Sequence, residues 1–397
     1  MYYFYSSDKE VCLFEVPLVA IETNCNQIYT ILSLNAALNP NTLAGYLVSS
    51  LVGIVFGFVM NKARVIEPLV IRDQMVMSRF VMLKLFLTAS ATSALSFALL
   101  YLFKKTRSNV LTCQNNMGSL MNRGFLPFIV GGLLLGAGLD IAGTCPGMVY
   151  VELGALVQNS WWTILGCFVG TFIYIRLQPW IERLSTTSSR YPKTVMEATG
   201  IDYRILAILY AILLYVVVAV VEYFVPWTRE VKASETISLR SYAWSPIVAG
   251  IVIGLLQLPL NGLLGKMIGT SVSYITILAQ FCSGNKELDS NRNNWWQVFL
   301  AGGSVLGSFI SSFLYMGGVN VYNPSVQGVH PFIAFVGGVL LLLGAKTMRA
   351  CTSGHGLSGM ALLVIPSIVA TCSIFAGGIA TGLLLNKFIS SVSFQTE

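Results

Sequence analysis

The chain has 397 residues, of which 55% are hydrophobic and only 10% charged, and its formal net charge is +7. Soluble domains contain roughly 25% charged residues, so this composition excludes an ordinary soluble domain and predicts an all-α polytopic membrane protein. The positive charge falls mostly in the loops between apolar segments and is not interleaved with aromatic residues. It therefore favours contact with lipid headgroups or an anionic solute, and not with nucleic acid.

Apolar segments that are long enough to cross a bilayer, which takes about 20 residues, predict nine membrane spans. They lie near 42–60, 80–103, 124–143, 160–177, 205–225, 244–268, 296–316, 331–348 and 361–386. Residues 1–41 lack the uninterrupted apolar core of a secretory signal, and we expect them to lie on the membrane surface or to cover neighbouring spans. The protein is expected to be an integral, multi-pass protein of the plasma membrane.

Short motifs recur in the two halves of the chain. The sequence GIVxG occurs at Gly53–Gly57 and again at Gly250–Gly254, with a spacing of small residues that lets helices approach closely. Pro-Phe-Ile stands before a pair of glycines at Pro127 and again at Pro331. We interpret the chain as a surface segment, a first membrane repeat, a linker with one unpaired span and a second membrane repeat, at 1–41, 42–178, 179–243 and 244–392.

One unpaired span between two four-span repeats places the starts of the repeats on opposite faces of the bilayer. The repeats are therefore predicted to be inverted. Inverted repeats with matching segments broken by glycine or proline are typical of secondary transporters and channels, whose solute site lies where the breaks meet. We expect broken or re-entrant half-helices that meet near the middle of the membrane.

Two long apolar runs, one in each predicted repeat, are interrupted in the same way. Gly131–Met148 reads GGLLLGAGLDIAGTCPGM, and Gly337–Gly359 reads GGVLLLLGAKTMRACTSGHGLSG. In both runs a cysteine, Cys145 or Cys351, stands at the same distance after the first glycine. Helix packing explains the glycines but not a cysteine at the same register, so the two breaks are predicted to form the solute site.

The residues after each cysteine favour the start of a helix. Pro146 suits the first helical turn, and the hydroxyls of Thr352 and Ser353 suit an N-cap. A helix N-terminus attracts anions through its free N–H groups and its dipole, and it favours a thiolate. We therefore predict an anion site formed by Cys145, Cys351, Pro146, Gly147, Thr352, Ser353, Gly354, His355, Gly356, Lys346 and Arg349.

Charged residues near the breaks leave alternatives open. Asp140 and Lys346 occupy the same place in the two repeats and can form one ion pair, because an isolated charge in hydrocarbon is costly. Alternatively, Lys346 and Arg349 form a positive vestibule for the anion. His355 is either a neutral hydrogen-bond donor to the glycine-rich loop or a proton-coupling group.

The motifs LLLGAGLDIAGTCPGM and LLLLGAKTMRACTSGHGLSGMALL resemble the YeeE/YedE family of sulphur transport proteins, and the resemblance covers most of residues 44–385. It implies an inverted-repeat membrane importer of thiosulfate or a related sulfur anion, which passes along cysteines through weak S–H···S contacts. Two functional cysteines of the family fall on Cys145 and Cys351. A third, in a stretch like RGRxCF, is replaced here by Ile66 in KARVIEP.

Other functions remain open at this stage. The chain can be a passive channel for small anions or a membrane enzyme of sulfur transfer, although no general base or cofactor motif accompanies the cysteines. We expect a transporter that is not an enzyme, without metal or cofactor, and with a soluble sulfur-carrier protein as an additional partner. Cys167, Cys282 and Cys372 are expected in the core, and the basic loops place the N-terminus in the cytosol.

Overall fold

The computed structural model describes residues 38–184, 192–231, 238–315, 326 and 328–393. The first part of this chain forms α1 (Leu43–Lys62), α2 (Pro68–Met75), α3 (Val81–Leu102), α4 (Lys104–Ser119), α5 (Leu126–Ala142), α6 (Met148–Gly154) and α7 (Ser160–Leu184). The middle forms α8 (Val195–Thr199), α9 (Tyr203–Phe224) and α10 (Trp227–Glu230). The last part forms α11 (Pro246–Leu255), α12 (Gln257–Leu264), α13 (Ser271–Phe281), α14 (Lys286–Asn291), α15 (Trp296–Tyr315), α16 (Pro331–Thr347), a π-helix (Ser353–Gly359) and α17 (Ile365–Ser393). The predicted surface segment is 1–41, and its positions 1–37 lie outside the described residues.

Membrane-length helices dominate the described part of the chain. Seven are long and apolar enough to cross a bilayer, or eight if α4 and α5, which are bent by 102° at their junction, count as one span. The two predicted spans that fall short by themselves are α5 and α16, which have 17 residues each and end just before Cys145 and Cys351. The predicted class, an all-α multi-pass membrane protein, is confirmed.

The helices of the two predicted repeats pack on one another as matched pairs. Helix α1 packs on α15 and α11 on α3, while α5 packs on α17 and α16 on α7. Both GIVxG motifs lie at such contacts: a Cβ added to Gly57 meets the Ser304 carbonyl oxygen at 2.0 Å, and one on Gly254 meets the Thr92 Cβ at 2.3 Å. Only glycine permits this approach, so the two motifs serve equivalent helix contacts.

The centre of the bundle is the contact between α5 and α16. A Cβ on Gly138 comes within 2.9 Å of the Gly337 carbonyl oxygen, and one on Gly344 comes within 2.5 Å of the Gly131 carbonyl oxygen. The contact is reciprocal, because each helix offers its first glycine to a later glycine of the other. Exchange of the two halves leaves this pattern unchanged, as a twofold repeat requires; the inversion of the repeats stays a prediction.

Short elements fill the space between the long helices. Helix α2 packs on α5 and α17, and α13 packs on α16 and α7, again as a matched pair. Helix α6 lies against α1, α7 and α15, and the π-helix lies against α3 and α17. Each of these four short elements follows an interruption between two helices, and each brings polar backbone groups into the interior of the bundle.

Candidate functional site

Cys351 lies fully buried at the start of the π-helix. Its sulfur is 3.1 Å from the Ser353 hydroxyl oxygen, and the backbone N–H groups of Gly354, Thr270 and Ser271 also reach it. Hydrogen bonds from backbone N–H groups stabilise negative charge on an acceptor. Cys351 therefore marks a point where two separate chain segments direct donors at one place.

The second of these segments is the start of α13, which the sequence interpretation missed. Thr270 precedes this helix, and its hydroxyl makes no hydrogen bond although the residue is fully buried. Gly269 lies beside the π-helix, in ordinary contact distance, since an added Cβ would be 3.9 Å from Gly354 Cα. The only sequence signal was the run Gly-Thr-Ser before an apolar helix, which also fits an ordinary helix start.

Cys145 lies near Cys351, close enough for an electrostatic interaction between the two sulfur atoms. The hydroxyl of Thr352 faces Cys145 but makes no hydrogen bond of normal geometry. Both residues line a cavity of about 30 Å³ that is otherwise mainly apolar. Its other walls are Gln74, Met75, Met82, Phe86, Leu139, Thr371, Ile374 and Phe375.

The residues after Cys145 form a tight turn. The Cys145 carbonyl accepts a hydrogen bond from the Val149 N–H at 3.1 Å, while the Pro146 carbonyl accepts one from the Tyr274 hydroxyl at 2.9 Å. A Cβ on Gly147 would stand 3.0 Å from the Thr270 hydroxyl oxygen. The expected half-helix is α6, which starts two residues after Pro146 and has only seven residues.

Two predicted roles after Cys351 need correction. Thr352 does not cap the π-helix through its side chain, because its hydroxyl faces Cys145 instead. The Ser353 hydroxyl likewise contacts the Cys351 sulfur and not a backbone N–H group. Gly356 packs against the Phe86 ring, where an added Cβ would approach ring carbons to 2.4 Å.

His355 is fully buried and both of its ring nitrogens have partners. Nδ1 lies 3.0 Å from the Ser367 hydroxyl, and Nε2 lies 3.3 Å from the Met348 carbonyl oxygen. A neutral ring that donates from Nε2 to the carbonyl and accepts from Ser367 satisfies both contacts. This geometry fits a neutral ring, but its partners lie outside the glycine-rich loop that the alternative named, and the ring ties the end of α16 to the start of α17.

The interpretation that pairs Asp140 with Lys346 is wrong. The glycine contacts place Ala142 beside Gly337 and Leu135 beside Gly344, so equivalent positions lie at opposite ends of the α5–α16 pair. The charged neighbour of Asp140 is instead Arg72, whose Nε donates to the Asp140 carbonyl at 2.9 Å.

Lys346 and Arg349 line one cavity of about 590 Å³. We call this cavity the vestibule; its other walls are Asn116, Met117, Leu120, Gln178, Glu182, Val272, Lys286, Glu287, Ser290 and Asn291. Arg349 is bound to Glu182, with 3.0 Å between the guanidinium and carboxylate atoms. The vestibule therefore contains both signs of charge, with three basic and two acidic side chains.

The remaining cysteines and Ile66 lie in varied surroundings. Cys167 is buried as expected, whereas Cys282 is partly exposed and Cys372 is exposed on α17, so the core assignment of Cys372 is wrong. The helical hydrophobic pattern did not show which apolar face points outward in a membrane protein. Ile66 is 2% exposed within the main apolar cluster, and it lines neither the Cys145 cavity nor the vestibule.

A buried carboxyl group also escaped the sequence interpretation. Glu152 of α6 is 2% exposed and faces the Thr144 hydroxyl, which immediately precedes Cys145. Neither Glu152 Oε1 nor Thr144 Oγ1 meets hydrogen-bond geometry. An acidic residue among apolar neighbours in AGTCPGMVYVELG was a visible signal, but it lies seven residues beyond the cysteine that defines the motif.

Helices of membrane-spanning length surround two buried helix interruptions, at Cys145 and Cys351. This arrangement defines a multi-pass integral membrane protein. Residues 62–380 match the sulphur transport family, and the chain belongs to that family, as the YeeE/YedE resemblance predicted. The thiosulfate transporter TsuA of Escherichia coli (strain K12) is 25% identical over 327 residues, which cover 78% of this chain and 86% of that protein. TsuA of Spirochaeta thermophila is 23% identical over 343 residues, which cover 82% of this chain and 95% of that protein.

A shorter relative matches only part of the chain. A probable transporter of Xylella fastidiosa (strain 9a5c) is 32% identical over 145 residues, which cover 36% of this chain but 96% of that protein. Its whole length therefore corresponds to a stretch about as long as one predicted repeat.

Proposed function

We propose that this protein transports thiosulfate or a related small sulfur-containing anion along a central pathway that includes Cys351 and Cys145. Membership of the sulphur transport family and the two relatives named thiosulfate transporter support this substrate class. The names of these relatives also favour transport over membrane sulfur transfer. The protein is proposed to act without enzymatic turnover.

The observation that carries the proposal is the set of donors around Cys351. Backbone N–H groups of Gly354, Thr270 and Ser271 converge on its sulfur, and the buried Thr270 hydroxyl is unpaired. Thiosulfate has oxygen atoms at one end, which accept hydrogen bonds from N–H and O–H groups. Its terminal sulfur accepts a weak S–H···S contact from a thiol. The site therefore matches both ends of the anion.

Hydroxyl and backbone N–H donors surround the two sulfur atoms, and the cations lie toward the vestibule. Lys346 lines the vestibule and is close enough to Cys351 for an electrostatic interaction, while Arg349 is already bound to Glu182. Transport requires an anion to enter and also to leave, so binding by several moderate dipoles suits it better than one deep electrostatic well. The vestibule cations are proposed to raise the local anion concentration before it reaches Cys351.

The proposed path runs from the vestibule to Cys351, past Thr352 to Cys145, and into the cavity beside Gln74. The cavity of about 30 Å³ has room for roughly two waters, taking 10–15 Å³ for each. The buried thiols and this small cavity favour a carrier that opens alternately over a channel with a permanent passage. The matched helix pairs and the relative that matches over 145 residues support a twofold repeat, and inverted repeats are proposed as the basis of such a motion.

Because Ile66 stands where the family has its third cysteine, the relay in this chain is proposed to consist of two cysteines, Cys145 and Cys351. A soluble sulfur-carrier protein remains a proposed partner, with the vestibule as its docking place, and the plasma membrane remains the proposed location. The lipid contacts are proposed to lie on the exposed apolar face of α9, where Ile205, Leu209 and Leu213 are each more than half exposed.

The proposal is tested by uptake of radiolabelled thiosulfate into proteoliposomes that contain the purified full chain. Wild-type protein is expected to raise uptake above that of empty liposomes, and Cys351→Ala and Cys145→Ala are expected to lower it. Cys372→Ala is the matched control, because this cysteine is exposed on α17 and lines neither cavity. Absence of uptake by the wild type, or full activity of both cysteine variants, would contradict the proposal.

A further inference from the structure

Glu152 is a buried acid that the proposed anion path does not use. It is 2% exposed, forms no ion pair within the described part of the chain, and has one carboxyl oxygen without a hydrogen bond. The Thr144 hydroxyl that faces it is unpaired and fully buried as well. Two adjacent unpaired polar groups inside a membrane protein are costly, which favours a functional reason for their presence.

The surroundings of Glu152 offer no compensating positive charge. Helix α6 packs against α1, α7 and α15. Helix α15 has no charged residue, and the one basic residue of α1, Lys62, donates to the Ser241 carbonyl at 2.9 Å. The charged residues of α7 lie in its second half, at Arg176, Glu182 and Arg183, and the titratable group that α7 directs at Glu152 is the Cys167 thiol. An unpaired carboxylate is strongly disfavoured there, so Glu152 holds a proton as long as it is enclosed in this way and can lose it only when water reaches it.

The position of Glu152 links it to the anion path through Thr144, which directly precedes Cys145. Cys145 lines the small cavity, so Thr144 joins the carboxyl group to a residue of the cavity wall, and the Cys167 thiol interacts with both Glu152 and Cys145. We propose that Glu152 carries the proton of a proton-coupled anion transport cycle, with Thr144 as the group that passes the proton toward the cavity. This inference rests on the proposed function.

Coupling follows from the charge of the substrate. A dianion near Cys145 repels an ionised carboxylate, so Glu152 keeps its proton while the anion is bound. By reciprocity, protonated Glu152 favours anion binding to the same degree. The anion and the proton are therefore carried in the same direction, and the carboxyl group returns its proton only after the anion has left.

The test separates anion exchange from proton-driven accumulation in the same proteoliposomes. Exchange is measured with equal thiosulfate on both sides, and accumulation is measured with an acidic exterior while potassium and valinomycin hold the membrane potential at zero. A one-unit pH gradient supports up to about tenfold accumulation for each coupled proton. Wild-type protein is expected to show this accumulation together with acidification of the interior, which a trapped pH-sensitive dye reports.

Glu152→Gln is isosteric with the protonated acid, so it is expected to retain exchange while losing accumulation and acidification. Glu152→Asp, which keeps the acid, is expected to restore part of both. Thr144→Val is a second variant that keeps the carboxyl group, and it is expected to slow accumulation at least severalfold without a change in exchange. Glu197→Gln, at an acid that accepts from the Lys193 N–H near the bundle surface, is the control and is expected to behave as wild type.

Glu152→Gln protein with wild-type accumulation and acidification would overturn the proposal. Wild-type protein that exchanges thiosulfate but ignores the pH gradient would also overturn it, while leaving the proposed transport function intact. Wild-type protein without any exchange would overturn both.

Discussion

The two interruptions of the apolar helices, at Cys145 and Cys351, have a cysteine at the same position of the repeated motif. The groups that surround the two cysteines differ. Around Cys351, the π-helix and the start of α13 supply three backbone N–H groups and the Ser353 hydroxyl. Cys145 borders a mainly apolar cavity, and its neighbours are the Thr352 hydroxyl and the backbone N–H groups of Gly147 and Met148. The two sites thus differ in one respect, because Cys351 also receives donors from Thr270 and Ser271, which lie outside its own motif.

Under the proposed function, this difference predicts unequal tasks for the two cysteines. The Cys351 side, with donors from two chain segments, is proposed to hold the oxyanion, and the Cys145 side, beside a mainly apolar cavity, is proposed to pass it on. In the second break, Gly356 lets the π-helix lie close to the Phe86 ring, and Gly359 lets it lie close to Ser367. The first break has Pro146 and a short α-helix, and α13 covers it through Tyr274.

The largest expected effect comes from removal of the two thiols one at a time. Cys351→Ala is expected to lower the initial rate of thiosulfate uptake about 100-fold and Cys145→Ala about tenfold, since a hydrogen bond to a charged group contributes roughly 1.5–3 kcal/mol. The rates are compared at equal amounts of reconstituted protein. A larger loss from Cys145→Ala would reverse the assignment of tasks.

Substitution of glycines tests how tightly each break is packed. Gly356→Ala is expected to cost about 1–3 kcal/mol of stability, because its Cβ would enter the space of the Phe86 ring. Gly147→Ala is expected to cost less, since its Cβ would meet only the Thr270 side chain, at 3.0 Å. Thermal unfolding in detergent measures both, with Gly302→Ala as the control because an added Cβ there has no neighbour within 4 Å. Equal melting temperatures for the two site variants would remove the packing difference.

Removal of single hydroxyl groups tests how much the hydrogen-bond donors on the Cys351 side and on the Cys145 side contribute to anion binding. Thr270→Val is expected to raise the KM for thiosulfate about fivefold with little change in maximal rate, as removal of one hydrogen bond costs about 1 kcal/mol. Thr371→Val, at an unpaired hydroxyl in the wall of the Cys145 cavity, is expected to change KM less than twofold. Concentration series of uptake distinguish these outcomes, and a stronger effect of Thr371→Val would place anion binding on the Cys145 side.

The smallest effect on transport is expected at Ile66. The resemblance to bacterial thiosulfate transporters suggests that Ile66→Cys restores a third relay step and raises the rate. However, Ile66 packs in the apolar cluster and lines neither cavity. We therefore expect an uptake rate within about twofold of wild type and a stability loss of about 1 kcal/mol, by analogy with other core truncations. A severalfold faster variant would show that the anion path reaches position 66.

The sequence by itself determined the membrane class, most spans and the location of the two breaks. These properties depend on local composition: a run of apolar residues must be a helix in a bilayer, and glycines with small polar residues interrupt it. The register of Cys145 and Cys351 was visible for the same reason, because a repeat is a property of the linear order. The GIVxG motifs likewise marked helix contacts correctly, since only glycine allows that approach.

Tertiary structure alone decided which groups face the cysteines. Asp140 and Lys346 matched in sequence, yet the antiparallel packing of α5 and α16 separated them, and Arg72 became the neighbour of Asp140. Thr270 lies far from Cys351 along the chain, so no local pattern could assign its N–H group to that thiol. The exposure of Cys372 also depended on packing. An apolar helix face can lie against lipid or against the protein core, and only the positions of the neighbouring helices determine which of the two it contacts.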